Sequence, residues 1–228
     1  MYIIGINAFH GDSSACLLKD GKLVAAAEEE RFRRIKHWAG FPSQSIKWCL
    51  SEAGIKLENV NHIAINQDAK ANINKKILFA LHKRPNFKMI IDRFKNMRRR
   101  LNLKDYILNE FPDSRFNGLF HLVEHHLSHL SSAFHVSPFD QAVTVSVDGF
   151  GDFASTAWGI GEGVKINLEE RIYFPHSLGI FYQALTQFIG FHNYGDEYKV
   201  MGLAPYGKPT FIKHMRQNVK LKLNGNFE

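Results

Sequence analysis

Apolar and polar positions set out a sequence of elements from the first residues onward. Tyr2 to Asn7 is a short apolar run, FHGDSS over Phe9 to Ser14 is a polar turn, and Ala15 to Leu18 is a second apolar run. Asp20-Gly21 then separates it from a third run, Leu23 to Ala27. An Asp-Gly pair between two such runs suits a tight hairpin, so three antiparallel strands are expected to open the chain. The period then changes. Ile46, Leu50 and Ala53 share one face of a helix that Ser43 is expected to cap and Gly54 to stop. Val60 to Ile65 reads as a strand. Ala69 to about Leu81 and Phe87 to about Leu103 read as helices broken near Pro85.

Phe120 to Val123 reads as a strand leading into a histidine-bearing helix. In the next strand, Gln141 to Val147, residues Ala142, Val143, Val145 and Val147 suit burial. Strands Ala154 to Ile160 and Val164 to Tyr173 follow, then an apolar helix Ser177 to Ile189. His192 to Lys208 is a glycine-rich polar stretch around a short helix. An internal repeat emerges from this pattern. Strand, turn with Asn7 to Asp12, strand, Asp20-Gly21, strand is matched by strand, Asp148 to Asp152, strand, Gly161 to Gly163, strand. Two such meanders, each followed by helices, predict a pseudo-twofold α/β protein whose two turns grip a phosphate chain.

Composition narrows the classes. A chain of 228 residues with 45% hydrophobic content can bury a sizeable core. Cys16 and Cys49 form no CxxC motif or disulfide framework, which fits a reducing compartment, and a cytoplasmic location is expected. The start, MYIIGINAFHG, lacks a signal peptide's basic opening and long apolar run. No apolar run is long enough to span a bilayer. Twelve Lys/Arg against one acidic residue between Lys70 and Lys104 give that segment a net charge of +11 in a chain of net +7, so the remainder is acidic. The segment reads as a basic, solvated helical insertion, since base-stacking aromatics are not interleaved with the charge. Glu28 to His37 reads as a charged connection, most of whose charges are solvated. LKLNGNFE closes the sequence just after an apparent strand, so one piece of a longer protein is expected.

The stretch Glu124 to Asp152 concentrates the chemistry. His125 and His129 are four residues apart and share a helical face, whereas His126 is rotated away by roughly 100°. Asp148 ends the following strand beside Gly149 and Gly151, where a carboxylate completes a His-His-Asp set. Imidazole with a hard oxygen suits zinc, iron(II) or manganese, and the residues alone do not choose among them. A glycine turn ending in Asp152 also presents backbone N–H groups to an anion.

Four segments in order resemble the O-carbamoyltransferase family of nodulation-factor and antibiotic biosynthesis. They are GINAFHGDSSACLLKDGKLVAAAEEERFRRIKH, EHHLSHLSSAFHVSPF, VSVDGFGD and GDEYKVMGLAPYGKP. The resemblance implies an actin-like ATPase domain of ribonuclease H-like, duplicated α/β fold, similar to that of the tRNA threonylcarbamoyl transferases. A first lobe is expected over residues 1–118, with the basic insertion near 70–115. The start of an incomplete second lobe is expected over 119–228. The resemblance implies a downstream YrdC-like domain that makes carbamoyl-adenylate from carbamoyl phosphate and ATP. The actin-like domain then carbamoylates a hydroxyl of a small molecule or glycan.

Motif matching places His125, His129 and Asp148 as ligands of a divalent metal, iron by resemblance. It places His10 as a catalytic histidine and Lys36 as a contact of the acyl intermediate. Gly11, Asp12, Ser13, Gly149, Gly151 and Asp152 fall in the nucleotide-binding turns. Nucleic acid and membrane are not among the expected partners. A tRNA-directed transferase and an inactive metal- or nucleotide-binding fragment are the alternatives; by itself the chain is expected to be inactive.

Overall fold

The computed structural model describes residues 1–83 and 103–228, which fall into two compact units. One comprises Met1–Lys70 and Leu78–Glu124; the other comprises Ala71–Ile77 and His125–Glu228.

In the first unit, β1 (Tyr2–Asn7), β2 (Ser14–Lys19) and β3 (Lys22–Glu28) form the expected antiparallel meander. Asp20 and Gly21 both adopt left-handed backbone, φ 51° and 79°, as a two-residue hairpin of this hand requires. β4 (His62–Ile65) pairs parallel to β1, and β5 (Leu119–Leu122) pairs parallel to β4. The resulting order, β3-β2-β1-β4-β5, is the ribonuclease H-like order of an actin-like lobe. Ile4, Ile6, Ile63 and Ile65 are buried on one face of this sheet. In the same core lie Ile46 and Leu50 of α2 (Ser43–Glu52) and Leu103 and Ile107 of α4 (Leu103–Glu110).

Three expectations meet different outcomes here. The strand at 119–122 belongs to the first sheet, so the units divide after Glu124 and not after residue 118. Of the basic segment, α3 (Ile73–Lys83) is helical, while the expected helix from Phe87 lies almost wholly outside the described residues. The charged segment after β3 is solvated at most of its charges, with Glu28, Arg31, Arg34 and Lys36 exposed, but Glu29 is fully buried. The segment forms one turn, α1 (Glu30–Arg33), and folds back onto the first hairpin turn. Glu29 N donates to Ser13 O at 2.8 Å, Ser13 N to Trp38 O at 3.0 Å and Phe9 N to Gly40 O at 3.2 Å.

Ser43 does not cap α2; it is the first helical residue and makes no cap hydrogen bond. The cap comes from the fully buried Glu29. Its carboxylate accepts from Gln44 N at 3.2 Å, Ser45 N at 2.8 Å, Ser45 Oγ at 2.9 Å and Arg33 Nε at 2.7 Å. A carboxylate on the amides of a helix N-terminus satisfies donors that the helix leaves unpaired and meets the positive end of its dipole.

In the second unit, β6 (Gln141–Gly151), β7 (Ala154–Glu162) and β8 (Lys165–Tyr173) form an antiparallel meander that repeats β1–β3. α5 (His125–Phe134) and α6 (Leu178–Phe188) pack on β6. Ser177 caps α6, its Oγ accepting from Ile180 N at 3.1 Å. α7 (Glu197–Leu203) and α8 (Ile212–Asn218) follow. The register of β6 reverses the expected burial. Val143, Val145 and Val147 are each more than half exposed, and Thr144 and Ser146 are buried. The polar residues face inward because both find partners there: Thr144 Oγ1 donates to Gly159 O, and Ser146 Oγ meets His126 Nδ1 at 2.9 Å. Among the described residues no helix is long and apolar enough to cross a membrane.

Glu29→Ala is expected to destabilise the chain by about 3–5 kcal/mol, because it strips α2 of its cap and leaves Arg33 without its carboxylate. Glu29→Gln, which keeps an acceptor oxygen, is expected to cost less. Urea denaturation with an unchanged m-value checks both, and equal stability of wild type and Glu29→Ala would contradict this account.

Candidate functional site

The helix α5 carries two stripes. His126, Leu130 and Phe134 recur every four residues and are buried against the sheet. His125 and His129, on the neighbouring stripe, meet with ring centroids 4.6 Å apart. The expected rotation of His126 away from the pair is therefore observed, and its cause is membership of the packed stripe.

Asp148 lies by alternation on the same face of β6 as Thr144 and Ser146, and it sits where the regular pairing of the strand ends. Register with β7 holds to Val147↔Thr156 and resumes only at Gly151↔Ala154. The break is a bulge that carries the chain from Asp148 to Gly151. Gly149 N then donates to Asp148 Oδ1 at 2.6 Å, and Asp148 Oδ2 lies 2.8 Å from His125 Nε2 and 3.4 Å from His129 Nε2. His125 Nε2 and His129 Nε2 are 3.0 Å apart.

The elements around the bulge hold it in place. The Ser177 hydroxyl lies 2.8 Å from Gly149 O and 3.1 Å from Asp148 O, and a side chain at Gly179 would strike the Asp148 carbonyl. Asp152, left-handed at φ 48°, turns back so that its Oδ2 accepts from His125 N at 2.9 Å. Asn72 Nδ2 donates to Asp152 O at 2.8 Å. A Cβ on Gly151 would overlap the His125 ring, so the close approach of turn and helix depends on glycine there.

The three ligand atoms are poorly served by protons alone. Two Nε2 atoms carry at most one hydrogen each, yet three contacts of 2.8, 3.0 and 3.4 Å converge. If both rings are protonated at Nε2, the contact between them has two hydrogens face to face. If one is not, a lone pair faces the carboxylate or the other ring. One cation at about 2.0–2.2 Å from each atom satisfies all three at once, and the observed spacings are those of neighbouring ligands at such distances. Two imidazoles and one carboxylate would supply three protein ligands to such an ion. The hydrogen bonds from His125, then His129, hold the Asp148 carboxyl well below the usual carboxylate range.

The other expected site residues lie in the first unit. His10 and Gly11 sit in the β1–β2 turn, half-buried. Asp12 is left-handed at φ 63°, and Asn7 Nδ2 donates to its carbonyl at 2.8 Å. Ser13, expected at a ligand, is buried, and its Oγ donates to Gly40 O at 2.8 Å, so its part is to fix the turn. Lys36 is exposed on the segment that folds back on this turn. Sequence reading missed His37, whose Nδ1 lies 2.8 Å from Asp12 Oδ1, and Glu30, whose carboxylate accepts from His37 N at 3.1 Å. It also missed the supporting parts of Ser146 and Ser177. A signal for Ser177 was present in its position at the start of an apolar helix; for Ser146 the valines on either side pointed the other way.

Comparison with known proteins gives a family. The family model described as carbamoyltransferase N-terminus matches residues 2–227. An uncharacterised protein of Synechocystis sp. is 40% identical over 234 residues, covering 99% of this chain and 38% of that protein. The nodulation protein NolNO of Sinorhizobium fredii is 36% identical over 204 residues, covering 90% of this chain and 29% of that protein. The chain thus spans about a third of the length of these curated relatives. Among solved structures, YeaZ from Pseudomonas aeruginosa aligns with TM-score 0.41 and 13% identity over 77% of this chain and 68% of that one.

Two outcomes are expected from this geometry. Gly151→Ala should displace the His125 ring and weaken metal binding on the order of 10–100-fold while leaving every ligand residue in place; metal titration by calorimetry checks it, and an unchanged affinity would show that the turn yields without moving His125. In the metal-free protein, a depressed Asp148 pKa means stability that is complete above the unfolded value of about 4 and is lost as pH falls through the folded value. Asp148→Asn should therefore lower stability by a constant amount above about pH 5 and by progressively less under pH 4. A difference that grows on acidification would have the wrong sign for this carboxylate.

Proposed function

The chain belongs to the carbamoyltransferase family, whose N-terminal region it matches, and on that premise we propose that it carries the transfer site of the full-length enzyme. The reaction is attack of a substrate hydroxyl on carbamoyl-adenylate, itself made from carbamoyl phosphate and ATP. A carbon–oxygen bond forms to the acceptor, the acyl-phosphate bond breaks, and AMP leaves. The observation that carries this reading is the convergence of His125, His129 and Asp148 within hydrogen-bond distance in a chain of this family.

Each residue then has a task. His125, His129 and Asp148 hold a divalent metal, iron by family resemblance. When bound, that metal supplies a Lewis acid for phosphate and carbonyl oxygens. His10 accepts the proton of the attacking hydroxyl, and Lys36 offsets the negative charge that develops on the carbamoyl group. Gly151 offers backbone to the nucleotide phosphates, and Gly149 contributes by holding Asp148, to whose Oδ1 its amide is committed. Asp152 contributes by holding its turn on α5, to which its carboxylate is committed. A YrdC-like domain supplying the adenylate, and a small-molecule or glycan hydroxyl as acceptor, complete the scheme; the protein works in the cytoplasm.

The test uses the full-length protein with ATP, radiolabelled carbamoyl phosphate and a panel of hydroxyl acceptors. AMP release coupled to label transfer is expected, with His125→Ala and His129→Ala each losing stoichiometric metal and at least a hundredfold in transfer. His126→Ala, checked for folding, is expected to retain its metal because His126 faces Ser146. If His126→Ala loses as much metal as His129→Ala, or if neither ligand variant changes metal content, the site is misassigned.

A further inference from the structure

The first unit holds a second convergent set of ligating side chains. Asp12 comes from the β1–β2 turn, Glu30 from the start of α1 and His37 from the loop after it; one ligand atom of each lies within 4.8 Å of the other two. We propose that Asp12, Glu30 and His37 form a divalent-cation site distinct from the His125–His129–Asp148 centre, binding a hard-to-borderline ion such as Mn²⁺ or Mg²⁺.

Distance allows it. Atoms each about 2.0–2.4 Å from one ion are at most about 4–4.8 Å apart. The 2.8 Å between Asp12 Oδ1 and His37 Nδ1 is the separation of two adjacent ligands as well as that of a hydrogen bond. Chemistry supports it too. Two carboxylates and a neutral imidazole carry two negative charges, and an imidazole from a third segment makes the set more selective than a group of surface acids. Carboxylates favour Mg²⁺ and Mn²⁺, and the imidazole shifts the choice toward Mn²⁺.

The loop that brings His37 to Asp12 is fixed from several sides. Ser13 N donates to Trp38 O and Ser13 Oγ to Gly40 O. His37 is itself left-handed, φ 54°, with its amide on Glu30 Oε2. The ligands thus need little rearrangement on binding, which limits the ordering cost that weakens most surface cation sites. The internal repeat adds a further argument. The carboxylate–imidazole cluster of the second unit sits at the turn between the first two strands of its meander, and Asp12 occupies the corresponding turn of the first. Three protein ligands leave room for anionic oxygens. That the open positions receive a nucleotide phosphate rests on the proposed function; the cation site itself does not.

The experiment is Mn²⁺ binding to the chain, followed by electron paramagnetic resonance of the free ion and by calorimetry. Two equivalents are expected in the wild type. Asp12→Asn and His37→Gln should each weaken one of them at least tenfold and leave the other, whereas His129→Ala should remove the other and spare the first. Far-UV circular dichroism and the urea midpoint identify variants that fail to fold. A second measurement needs no variant: bound Mn²⁺ should broaden the His37 ring and Asp12 amide resonances in addition to those of His125 and His129. A single equivalent, lost in His129→Ala and indifferent to Asp12→Asn and His37→Gln, would overturn the proposal. So would the absence of broadening at His37. Failure of metal binding at His125 and His129 alone would count against the transfer site and leave this one standing.

Discussion

The arrangement of the second unit depends on where the Asp148 carboxylate must go. One of its oxygens takes the Gly149 amide and the other faces two imidazoles on α5. Alternation along β6 delivers the side chain to the same face as Thr144 and Ser146, and pairing with β7 lapses just before it, after Val147. The bulge in turn needs a seat, which the Ser177 hydroxyl and the bare backbone of Gly179 provide. The chain must then leave close under His125, which requires Gly151, and Asp152 returns to bond the His125 amide. Each of these features is a consequence of one carboxylate meeting two rings at hydrogen-bond distance.

The first unit solves a different problem with the same kind of group. There the controlling carboxylate is Glu29, fully buried and surrounded by donors from α2 and Arg33. An uncompensated buried charge would be costly, and its partners here are two helix amides, a hydroxyl and a guanidinium. Arg33 also lies over the Trp38 ring, 4.5 Å from its centroid. The effect is to tie the charged segment to the start of α2 and to bring His37 within reach of Asp12. Glu29 is not itself a candidate ligand, yet the position of that loop depends on it.

Much of this was legible in the residues because the deciding interactions are local. The Asp20-Gly21 hairpin and the His125/His129 face each follow from spacing within one element, and each stands where the sequence placed it. The repeat of two meanders was readable for the same reason. What was not legible depends on partners distant in sequence. Ser43 has the identity and place of a helix cap, but Glu29, fourteen residues earlier, already occupies the amides. The run Glu28 to His37 has the composition of a solvated loop, and only the clamp on Ser13 and Gly40 makes it part of a site. The parallel pairing of β5 with β4 joins segments more than fifty residues apart, so the boundary between units could not be read from either strand.

The burial of β6 is the sharpest departure, and it bears on function. Turning Val143, Val145 and Val147 away from the helix forgoes part of the roughly 1.5–3 kcal/mol that full burial of each would contribute. The inward positions go to Thr144 and Ser146, which pack less apolar surface. The register is nonetheless determined, because a shift of one residue would turn every side chain of β6 to the opposite face. Ser146 would leave His126, and Asp148 would leave His125 and His129. His126 stands next to His125 on α5, so the buried bond to Ser146 fixes the rotation of the helix about its axis. That rotation decides whether two imidazoles or none face the bulge. The apolar stripe of Leu130 and Phe134 sets which face of the helix packs on the sheet, and the hydrogen bond between buried groups, being directional, fixes that rotation more narrowly. The polar inner face of β6 is thus the means by which the sheet sets the geometry of the histidine pair.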